Sequence, residues 1–400
     1  MKAAVAFEKD QDTEFRREIL SPAECRALVD SLREQVYVYR YTHLVHGWVL
    51  AIGTHIGTIA PAMGRPLSLG GFRIVPEARA QLPGFLPERE AIELSVGMEE
   101  KVFWSKIAQV GGPRGLKNLQ RIVGGKCVLL APGGRVGEAL DLEALQFAVS
   151  CMHDFEAHSG ISIVTGQDLG HGQLSQGGQT SLEFLRDNFH GSVIADTGKP
   201  TAEGNFYMLK GTLNAFDIPI SSARIGIIGA GNIGEHLIKR LVQHGGSVVV
   251  LESLPAKQQK LTAQGLKVYG QEQKQEFLGL SVDALAVNAN GGTLDDEAVN
   301  QICSNPEIKI ICGCENLAMP NSANEAKLLA ARKVYCHTEL CGMMGYLTAV
   351  EEYLARTAGQ LVKIEEMYEA AAQLENIGFK GARGVLESGY TRSLMELLRG

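Results

Sequence analysis

Three side chains in the first half of the sequence are suited to proton transfer: Lys101, Lys126 and Asp168. Lys126 follows two glycines in "GGKCVLL" and begins an apolar run, so a flexible backbone would present its amine at the start of a buried strand. An amine is a base only after it has lost its proton, and burial or a second cation nearby favours the neutral form. Lys101 lies in the helix-like "VGMEEKVF", and Asp168 follows the strand-like "IVTGQ".

Each of these residues also has a structural interpretation. A lysine on a helix, such as Lys101, is most often a solvated surface charge, and Lys126 could simply end a loop. Asp168 could cap a turn, and Thr201 in "GKPTAEG" could be an ordinary loop hydroxyl. The residue types alone leave both interpretations open.

A glycine-rich turn later in the chain predicts a nucleotide site. Gly229, Gly231 and Gly234, with Asn232 and Ile233 between the last two, follow the strand-like "RIGII" and precede the helix-like "EHLIKRLVQHG". In this context the first glycine lets the chain turn, the second lets a pyrophosphate approach the backbone, and the third lets helix and strand pack together. Amide groups at the start of the helix would bind the anion. Dinucleotide binding is therefore predicted, although such glycines can also be purely structural.

An acidic residue indicates which dinucleotide is bound. Glu252 ends the next predicted strand, "SVVVLES", where its carboxylate can accept hydrogen bonds from both ribose hydroxyls. A 2′-phosphate would be repelled there. NAD is therefore favoured over NADP, although Lys257 nearby leaves NADP as an alternative.

Composition limits what kind of protein positions these residues. The chain has 400 residues, is 45% hydrophobic and 21% charged, and is long enough for two folded domains. A net charge of −7 provides no basic field for nucleic acid or an anionic membrane, so small-molecule chemistry is favoured. The start, "MKAAVAFEKDQDTEF", has only a short apolar run, and no later segment approaches the length of a membrane span. We therefore expect a cytoplasmic protein.

Cysteine and histidine gather in one part of the sequence. The chain has 8 cysteines without a dense framework, so reduced thiols are expected. The group consists of Cys312, Cys314, Cys336, His337 and Cys341. Its spacings are not those of a standard zinc site, and "IKIICGC" is typical of a buried strand. We therefore predict no metal site.

The first half of the chain alternates helix-like and strand-like segments. Ser21 and Pro22 should begin a helix in "SPAECRALVDSLREQV", and "VYVYRYTHLVHGWVLAIG" is β-rich. "LPEREAIELSVGMEEKVFWSKIA" predicts a helix that ends before "GGPRG". Next, "KCVLLAP", "DLEALQFAVSCMHDFEAHSG" and "ISIVTG" predict a strand, a helix and a strand, which suggests a parallel crossover. This half is expected to be α/β.

The second half predicts a Rossmann-type, doubly wound parallel sheet. A helix in "EGNFYMLKGTLNAF" leads into "ARIGIIGAG", and "SVVVLES", "VDALAVNAN", "IKIICGC" and "KVYCH" have the patterns of further strands. The end, from "YLTAVEEYLARTAGQ" to "LENIGF", predicts a long helical region. We therefore expect a two-domain α/β fold, with residues 1–204 for substrate binding and oligomerisation, 205–350 for the nucleotide, and 351–400 as helices that cross back to the first domain.

Six short motifs occur in an order that is similar to that of one enzyme family. They are "LGGFR", "MEEK", "GGK", "TGQDLG", "KPTAEG" and "GAGNIG", within roughly residues 65–350. In this order the sequence resembles the glutamate/leucine/phenylalanine/valine dehydrogenase family, and most closely its leucine dehydrogenase branch. In that family the substrate domain precedes the cofactor domain, with a cleft between them. The resemblance would explain why the nucleotide turn comes so late in this chain.

The resemblance implies roles for the residues that match the motifs. Gly70 and Gly71 would lie against the substrate carboxylate, and Lys101 would pair with it. Lys126 would be the catalytic lysine, and Asp168 would be its partner in proton transfer.

The resemblance also implies the cofactor contacts and the reaction. Thr201 would face the nicotinamide amide, while Asn288, Ala289 and Asn290 of "NANGG" and Asn316 of "CENLAMP" would lie beside the nicotinamide ribose and ring. The implied reaction is NAD-dependent oxidative deamination of an L-amino acid, with a hydrophobic, aromatic or specialised side chain, to the 2-oxo acid and ammonia. A homo-oligomer is also implied, and the β-rich first 60 residues could supply its interface.

Three positions depart from the family pattern. The interval before the catalytic lysine is longer than in the family, so Lys106 or Lys117 could replace Lys101 as its partner. Cys341 in "LCGMMGY" stands near the place of an asparagine that contacts the substrate, and Glu203 stands where an aromatic residue is common. These departures keep two alternatives open: an NAD-dependent dehydrogenase or reductase of a keto, hydroxy or imino compound, and a non-catalytic NAD-binding protein.

Overall fold

The computed structural model describes residues 15–55 and 64–399. The opening stretch on which the expectation about targeting depends lies outside these residues. Among the described residues, no helix is both long enough and apolar enough to cross a membrane.

Contacts divide the chain into two compact units. The first takes in the residues up to 98 together with Arg121–Ile194, and the second takes in Glu99–Gln120 together with the residues from 195 onward. The division after Ile194 lies a short way before the predicted boundary at 204. No local pattern in the sequence indicates that an internal segment, Glu99–Gln120, packs with the second unit.

A mixed sheet forms the centre of the first unit. Its strands are β1 (Phe15–Leu20), β2 (Tyr37–His43), β3 (Val49–Thr54), β4 (Leu67–Ile74), β5 (Ile122–Leu130) and β6 (Ser162–Gln167). They lie in the order β1-β2-β3-β5-β4-β6, with parallel pairing of β4 to β5 and β6 and antiparallel pairing elsewhere. At residues 70–71, β4 pairs with Thr165 and Gly166 of β6, which holds its backbone in a fixed register.

The helices of the first half have recognisable start and stop signals. They are α1 (Pro22–Leu28), α2 (Glu77–Ala80), α3 (Pro87–Ala108), α4 (Pro113–Asn118), α5 (Asp141–Ser159) and α6 (Ser181–Asn188). Ser21 and Glu24 form the capping box that begins α1, as predicted, but this helix ends earlier than its sequence pattern suggested. Gly160, at φ 73°, ends α5. Phe147 and Phe155 of α5 are fully buried in the core beneath the sheet, which fixes β5, α5 and β6 as the predicted parallel crossover.

A parallel sheet forms the centre of the second unit. Its strands are β7 (Arg224–Ile228), β8 (Ser247–Leu251), β9 (Lys267–Tyr269), β10 (Ala284–Val287), β11 (Ile310–Gly313) and β12 (Val334–Tyr335). Their order, β12-β11-β10-β7-β8-β9, reverses between β7 and β10, where doubly wound sheets bind ligands. The short β9 was not predicted, but the two-domain α/β class with a Rossmann-type sheet is confirmed.

The second unit contains helices before, between and after these strands. They are α7 (Gly198–Ala215), α8 (Asn232–Gln243), α9 (Pro255–Ala263), α10 (Lys274–Leu278), α11 (Asp296–Ser304), α12 (Ala323–Ala330), α13 (Thr338–Cys341), α14 (Met343–Thr357), α15 (Ile364–Ala372), α16 (Leu374–Glu387) and α17 (Leu394–Arg399). The predicted long helical region at the end is broken after α14, where Gly359 has a φ of 65°.

The C-terminal helices pack on α7, within the second unit, whereas the sequence suggested that they cross back to the first domain. Glycines explain the close packing. A Cβ on Gly211 of α7 would lie 1.9 Å from the carbonyl oxygen of Glu375, and one on Gly378 of α16 would lie 2.5 Å from that of Met208. Only glycine at both positions lets the two helix backbones approach this closely.

Candidate active site

The double glycine of β4 makes room for the neighbouring strand and for a lysine side chain. A Cβ on Gly70 would lie 1.8 Å from the carbonyl oxygen of Gly125 in β5, a distance that no side chain tolerates. A Cβ on Gly71 would lie 3.0 Å from Nζ of Lys126 and 3.0 Å from Cβ of Asp168. The two predicted glycines therefore lie directly beside the two predicted catalytic residues, within one unit.

Lys126 and Asp168 form a buried ion pair. Lys126 Nζ donates a hydrogen bond to Asp168 Oδ2, and their side chains are only 6% and 13% exposed. Burial alone would raise the pKa of Asp168, but the charges of Lys126 and Arg73 outweigh it and hold that pKa well below its usual range. Asp168 is therefore a carboxylate at neutral pH and accepts hydrogen bonds from the amine.

Arg73 is a part of this cluster that the sequence analysis did not single out. Its Nη2 donates to Asp168 Oδ1 at 3.1 Å, and its Nη1 donates to Glu90. Glu90 also accepts from Arg79 Nε at 2.6 Å. Arg73 stands inside the quoted "LGGFR" motif, and an arginine in an otherwise apolar strand was the signal that could have identified it.

The glycine turn after β7 has the geometry of a dinucleotide site. Gly229 has a φ of 86°, and a Cβ on Gly234 would lie 2.1 Å from the carbonyl oxygen of Gly229, so the turn and the close packing both require glycine. A Cβ on Gly231 would have nothing within 4 Å, which leaves open space over the turn. Gly231 is also the N-cap of α8, and none of the described side chains caps that helix start. The exposed amides and open space fit a pyrophosphate.

The acid predicted for ribose binding lies at this turn. Glu252, which follows β8, accepts from the amide of Ala230 at 2.8 Å and from that of Leu254 at 2.9 Å. Oε1 also accepts from the Ser253 hydroxyl at 3.5 Å, whereas Oε2 retains a lone pair for a further donor. Lys257 donates to the carbonyl oxygen of Ala230 at 3.2 Å, so the amine that kept NADP open lies at the same turn.

The remaining predicted cofactor residues lie at the ends of β10 and β11 and on α7. Asn288 Oδ1 accepts from Asn205 at 3.1 Å and from the amide of Cys314 at 3.1 Å. Thr201, in the first turn of α7, is buried, and its hydroxyl donates to the carbonyl of Thr197 at 2.7 Å. Asn205 was missed by the sequence analysis, although it lies four residues after Thr201, on the same face of a helix.

The NANGG loop is held by a second residue that the sequence analysis missed. Glu315, buried after β11, accepts from the amide of Ala289 at 3.0 Å and from the hydroxyl of Thr293 at 2.7 Å. Asn290 is exposed.

Two further predicted cofactor residues lie on the turn after β7, where Ile233 is half-buried and Asn232 is exposed. The side-chain amide nitrogen of Asn232 would lie 2.3 Å from a Cβ on Gly198.

Lys101 lies with Asn316 in the second unit. Its Nζ donates to Asn316 Oδ1 at 2.6 Å, and Lys101 is 8% exposed, whereas Asn316 is exposed. Lys106 is half-buried, and burial lowers its pKa, while Lys117 on α4 is exposed. The structure therefore joins one predicted substrate residue to one predicted cofactor residue.

The two residues that departed from the family pattern are both buried. Glu203 forms an ion pair with Arg240 Nε at 2.8 Å, and His236 Nε2 lies 3.0 Å from the same carboxylate, so its charge is paired with Arg240 of α8. The Cys341 thiol donates to the carbonyl of Cys336 at 3.8 Å and offers none of the donors of an amide.

His337 forms a second, half-buried charge cluster: its side chain is 19% exposed, and those of its two partners are 33% and 28% exposed. Its Nδ1 lies 3.4 Å from Glu100 Oε1 and its Nε2 lies 3.0 Å from Glu325 Oε2. Burial disfavours the charged imidazole, but the two carboxylates outweigh burial and raise the pKa of His337 to about 10. Its ring therefore faces carboxylates rather than the neighbouring thiols, which the sequence spacing could not show.

Sequence comparison finds two partial matches. Residues 224–288 match a family model described as NADP oxidoreductase, coenzyme F420-dependent. The chain is also 22% identical over 160 residues to the valine dehydrogenase of Streptomyces virginiae. That match covers 39% of this chain and 44% of the relative, so it spans less than half of either protein.

Structural comparison covers nearly the whole chain. L-tryptophan dehydrogenase from Nostoc punctiforme superimposes with a TM-score of 0.62 at 18% identity, over 92% of this chain and 93% of that one. The hetero-hexameric glutamate dehydrogenase from Thermus thermophilus, in its Leu-bound form, gives 0.62 at 16% identity, over 96% and 86%. Together with the valine dehydrogenase match, these structures confirm that this chain resembles the glutamate/leucine/phenylalanine/valine dehydrogenase family and shares the amino-acid dehydrogenase fold.

Proposed function

We propose that this protein is an NAD-dependent L-amino-acid dehydrogenase, which converts an α-amino acid to the 2-oxo acid and ammonia. The observation that carries the proposal is the buried amine of Lys126, held by Asp168 beside the bare backbone of Gly71. The similarity to valine, tryptophan and glutamate dehydrogenases supports this reaction class. We expect a substrate with a hydrophobic, aromatic or specialised side chain.

The reaction consumes the amino acid, NAD and water, and yields the 2-oxo acid, ammonia, NADH and a proton. When bound, NAD accepts the hydride from the α-carbon. Water then attacks the resulting iminium carbon, and the neutral amine of Lys126 takes the proton of that water. Lys126 passes this proton to the substrate nitrogen, the C–N bond breaks, and the new hydroxyl returns its own proton to Lys126 as the carbonyl forms. Asp168 accepts a hydrogen bond from Lys126 and partners it in these proton transfers.

We assign the substrate carboxylate to the double glycine and to Lys101. Gly70 and Gly71 would let the carboxylate lie against the backbone of β4. Lys101 is the buried cation among the three candidates, and its present partner, Asn316, is a neutral amide that a carboxylate could replace. Lys106 and Lys117 are the alternatives, and both are more exposed than Lys101.

We propose that the cofactor is NAD rather than NADP. The Glu252 carboxylate lies at the end of β8 with a lone pair of Oε2 available for a ribose hydroxyl, and its charge would repel a 2′-phosphate. Lys257 opposes this preference, but its amine is already bonded to the Ala230 carbonyl.

The decisive experiment is a screen of L-amino acids with NAD and with NADP, followed by the absorbance of the reduced cofactor. In the K126A variant we expect turnover to fall by about 10³-fold or more, since the base is lost. The control K363A removes a lysine that is exposed at the start of α15 and should leave the rate unchanged. K126A with wild-type turnover, or wild-type protein that turns over no amino acid, would contradict the proposal.

A second candidate is an NAD-dependent dehydrogenase or reductase of a keto, hydroxy or imino compound. Cys341, buried and bonded to the Cys336 carbonyl, is the observation that favours it, because no asparagine amide is available there for a substrate amino group. Ammonia separates the two candidates. Reductive amination of a 2-oxo acid requires ammonia, whereas reduction to a hydroxy acid proceeds without it.

A further inference from the structure

We propose that Arg73 is a positioning residue for the proposed reaction, which holds the Asp168 carboxylate in place against Lys126 and is itself held by Glu90. The inference rests on the proposed function and extends it by a residue that does not touch the substrate. All the contacts involved lie within the first unit.

The two carboxylate oxygens of Asp168 accept hydrogen bonds from different donors. Oδ1 accepts from Arg73 Nη2 at 3.1 Å and from the backbone amide of Leu169 at 2.7 Å. Oδ2 faces the other way and accepts from Lys126 Nζ. With Oδ1 fixed by two donors, the carboxylate cannot rotate away from the amine, so the position of Nζ follows from that of Arg73.

Glu90 completes this arrangement from α3. It is 4% exposed and accepts from Arg73 Nη1 and from Arg79 Nε. Arg73 is itself 6% exposed, and a buried guanidinium without counter-charges would be strongly destabilising. Negative and positive side chains therefore alternate from α3 through β4 to the amine, in the order Glu90, Arg73, Asp168 and Lys126.

The arrangement also fixes the charge beside the amine. Because Asp168 lies between two cations, its carboxylate is ionised in the resting pair at neutral pH. The other titratable group near the pair is His171, whose Nε2 lies 2.7 Å from the Phe72 carbonyl oxygen and whose pKa is lowered by burial. His171 is therefore neutral at neutral pH and leaves the charge of the pair unchanged.

The test compares R73M and R73K with the control R89M, which removes an exposed arginine paired with Glu93 on α3. We expect R73M to lower kcat by about 100-fold with little change in KM, because the amine is misplaced by a fraction of an ångström or more. The acid limb of the pH profile should move to higher pH, because Asp168 loses one of its two cations. The R73K variant keeps the positive charge but lacks the two guanidinium nitrogens that donate to Asp168 and Glu90. It should therefore recover part of the rate.

A readout independent of turnover separates this inference from the proposed function. The rate at which acetic anhydride acylates Lys126, followed by mass spectrometry, should differ from wild type by about threefold or more in R73M, because Asp168 no longer holds the amine in one position. R89M should match wild type. If R73M and R73K fold and match wild type in acylation rate, the inference is overturned, whatever the reaction proves to be; absence of amino-acid turnover in wild type would instead overturn the proposed function.

Discussion

The charge cluster around Lys126 and the one around His337 differ in what surrounds the cation. The amine of Lys126 lies beside Gly71, where a missing side chain leaves one face of the cation with only backbone next to it. His337 lies between Glu100 and Glu325, with a carboxylate at each ring nitrogen. The side of the Lys126 amine next to Gly71 has room for a small molecule, whereas each ring nitrogen of His337 already has a carboxylate as its partner. The first cluster is therefore the candidate for chemistry and the second for stability.

The largest expected effect tests whether the His337 cluster stabilises the fold. Replacing His337 with Gln removes the cation between two carboxylates and should cost about 3 kcal/mol of unfolding free energy, the low end of the cost of breaking a fully buried ion pair, because these three side chains are 19% to 33% exposed. Urea unfolding measures this. The control H190Q removes a histidine that is 54% exposed and paired with Glu156, and it should change stability little.

The pH dependence of the unfolding free energy also tests the contribution of His337 to stability. The pKa of His337 is about 10 in the folded protein and 6.5 ordinarily, so the folded state binds the extra proton between these values. The stabilisation is therefore complete below pH 6.5 and is lost as pH rises towards 10. H337Q should flatten this part of the stability curve. An unchanged curve would mean that His337 contributes nothing through its charge.

The next effect tests whether the bare face matters at Lys126. A Gly71→Ala substitution places a methyl group 3.0 Å from Nζ, the movable end of a side chain, so the amine should shift while the fold survives. We expect turnover to fall by about 100-fold. Gly97 on α3 has nothing within 4 Å of an added Cβ, so G97A should keep full activity and gain slightly in stability. Equal activity in the two variants would show that the space beside the amine is not used.

The sequence predicted the first cluster better than the second for a physical reason. Glycines and lysines next to strand ends can be recognised locally, so Gly71, Lys126 and Asp168 were identified together. Arg73 was quoted within the same motif, but its partner Glu90 lies on a helix whose packing no local pattern shows. His337 was grouped with cysteines by sequence spacing, whereas its charged partners come from α3 and α12.

The fold shows the same limit. Apolar runs and the glycine turn predicted most strands of the second unit, since each signal lies within a few residues. The assignment of Glu99–Gln120 to the second unit depends on distant contacts: Glu351 of α14 accepts from the amide of Gly115 at 2.8 Å and from Arg114 Nη1 at 2.8 Å. Such contacts join elements far apart in the sequence, and periodicity does not report them.

The smallest expected effect concerns Glu203, a buried carboxylate that the family pattern would place near the nicotinamide. Its ion pair with Arg240 and its contact with His236 make it resemble the His337 cluster rather than the Lys126 site. Replacing Glu203 with Gln should therefore lower stability by about 1 kcal/mol, since the amide still offers an oxygen acceptor. The affinity for NAD, measured by fluorescence titration, should stay within about twofold because the carboxylate faces α8 and not the cofactor. E235Q, which breaks a largely exposed pair between Glu235 of α8 and Lys260 of α9, is the matched control. A large loss of NAD affinity in E203Q alone would instead show that Glu203 acts at the cofactor site.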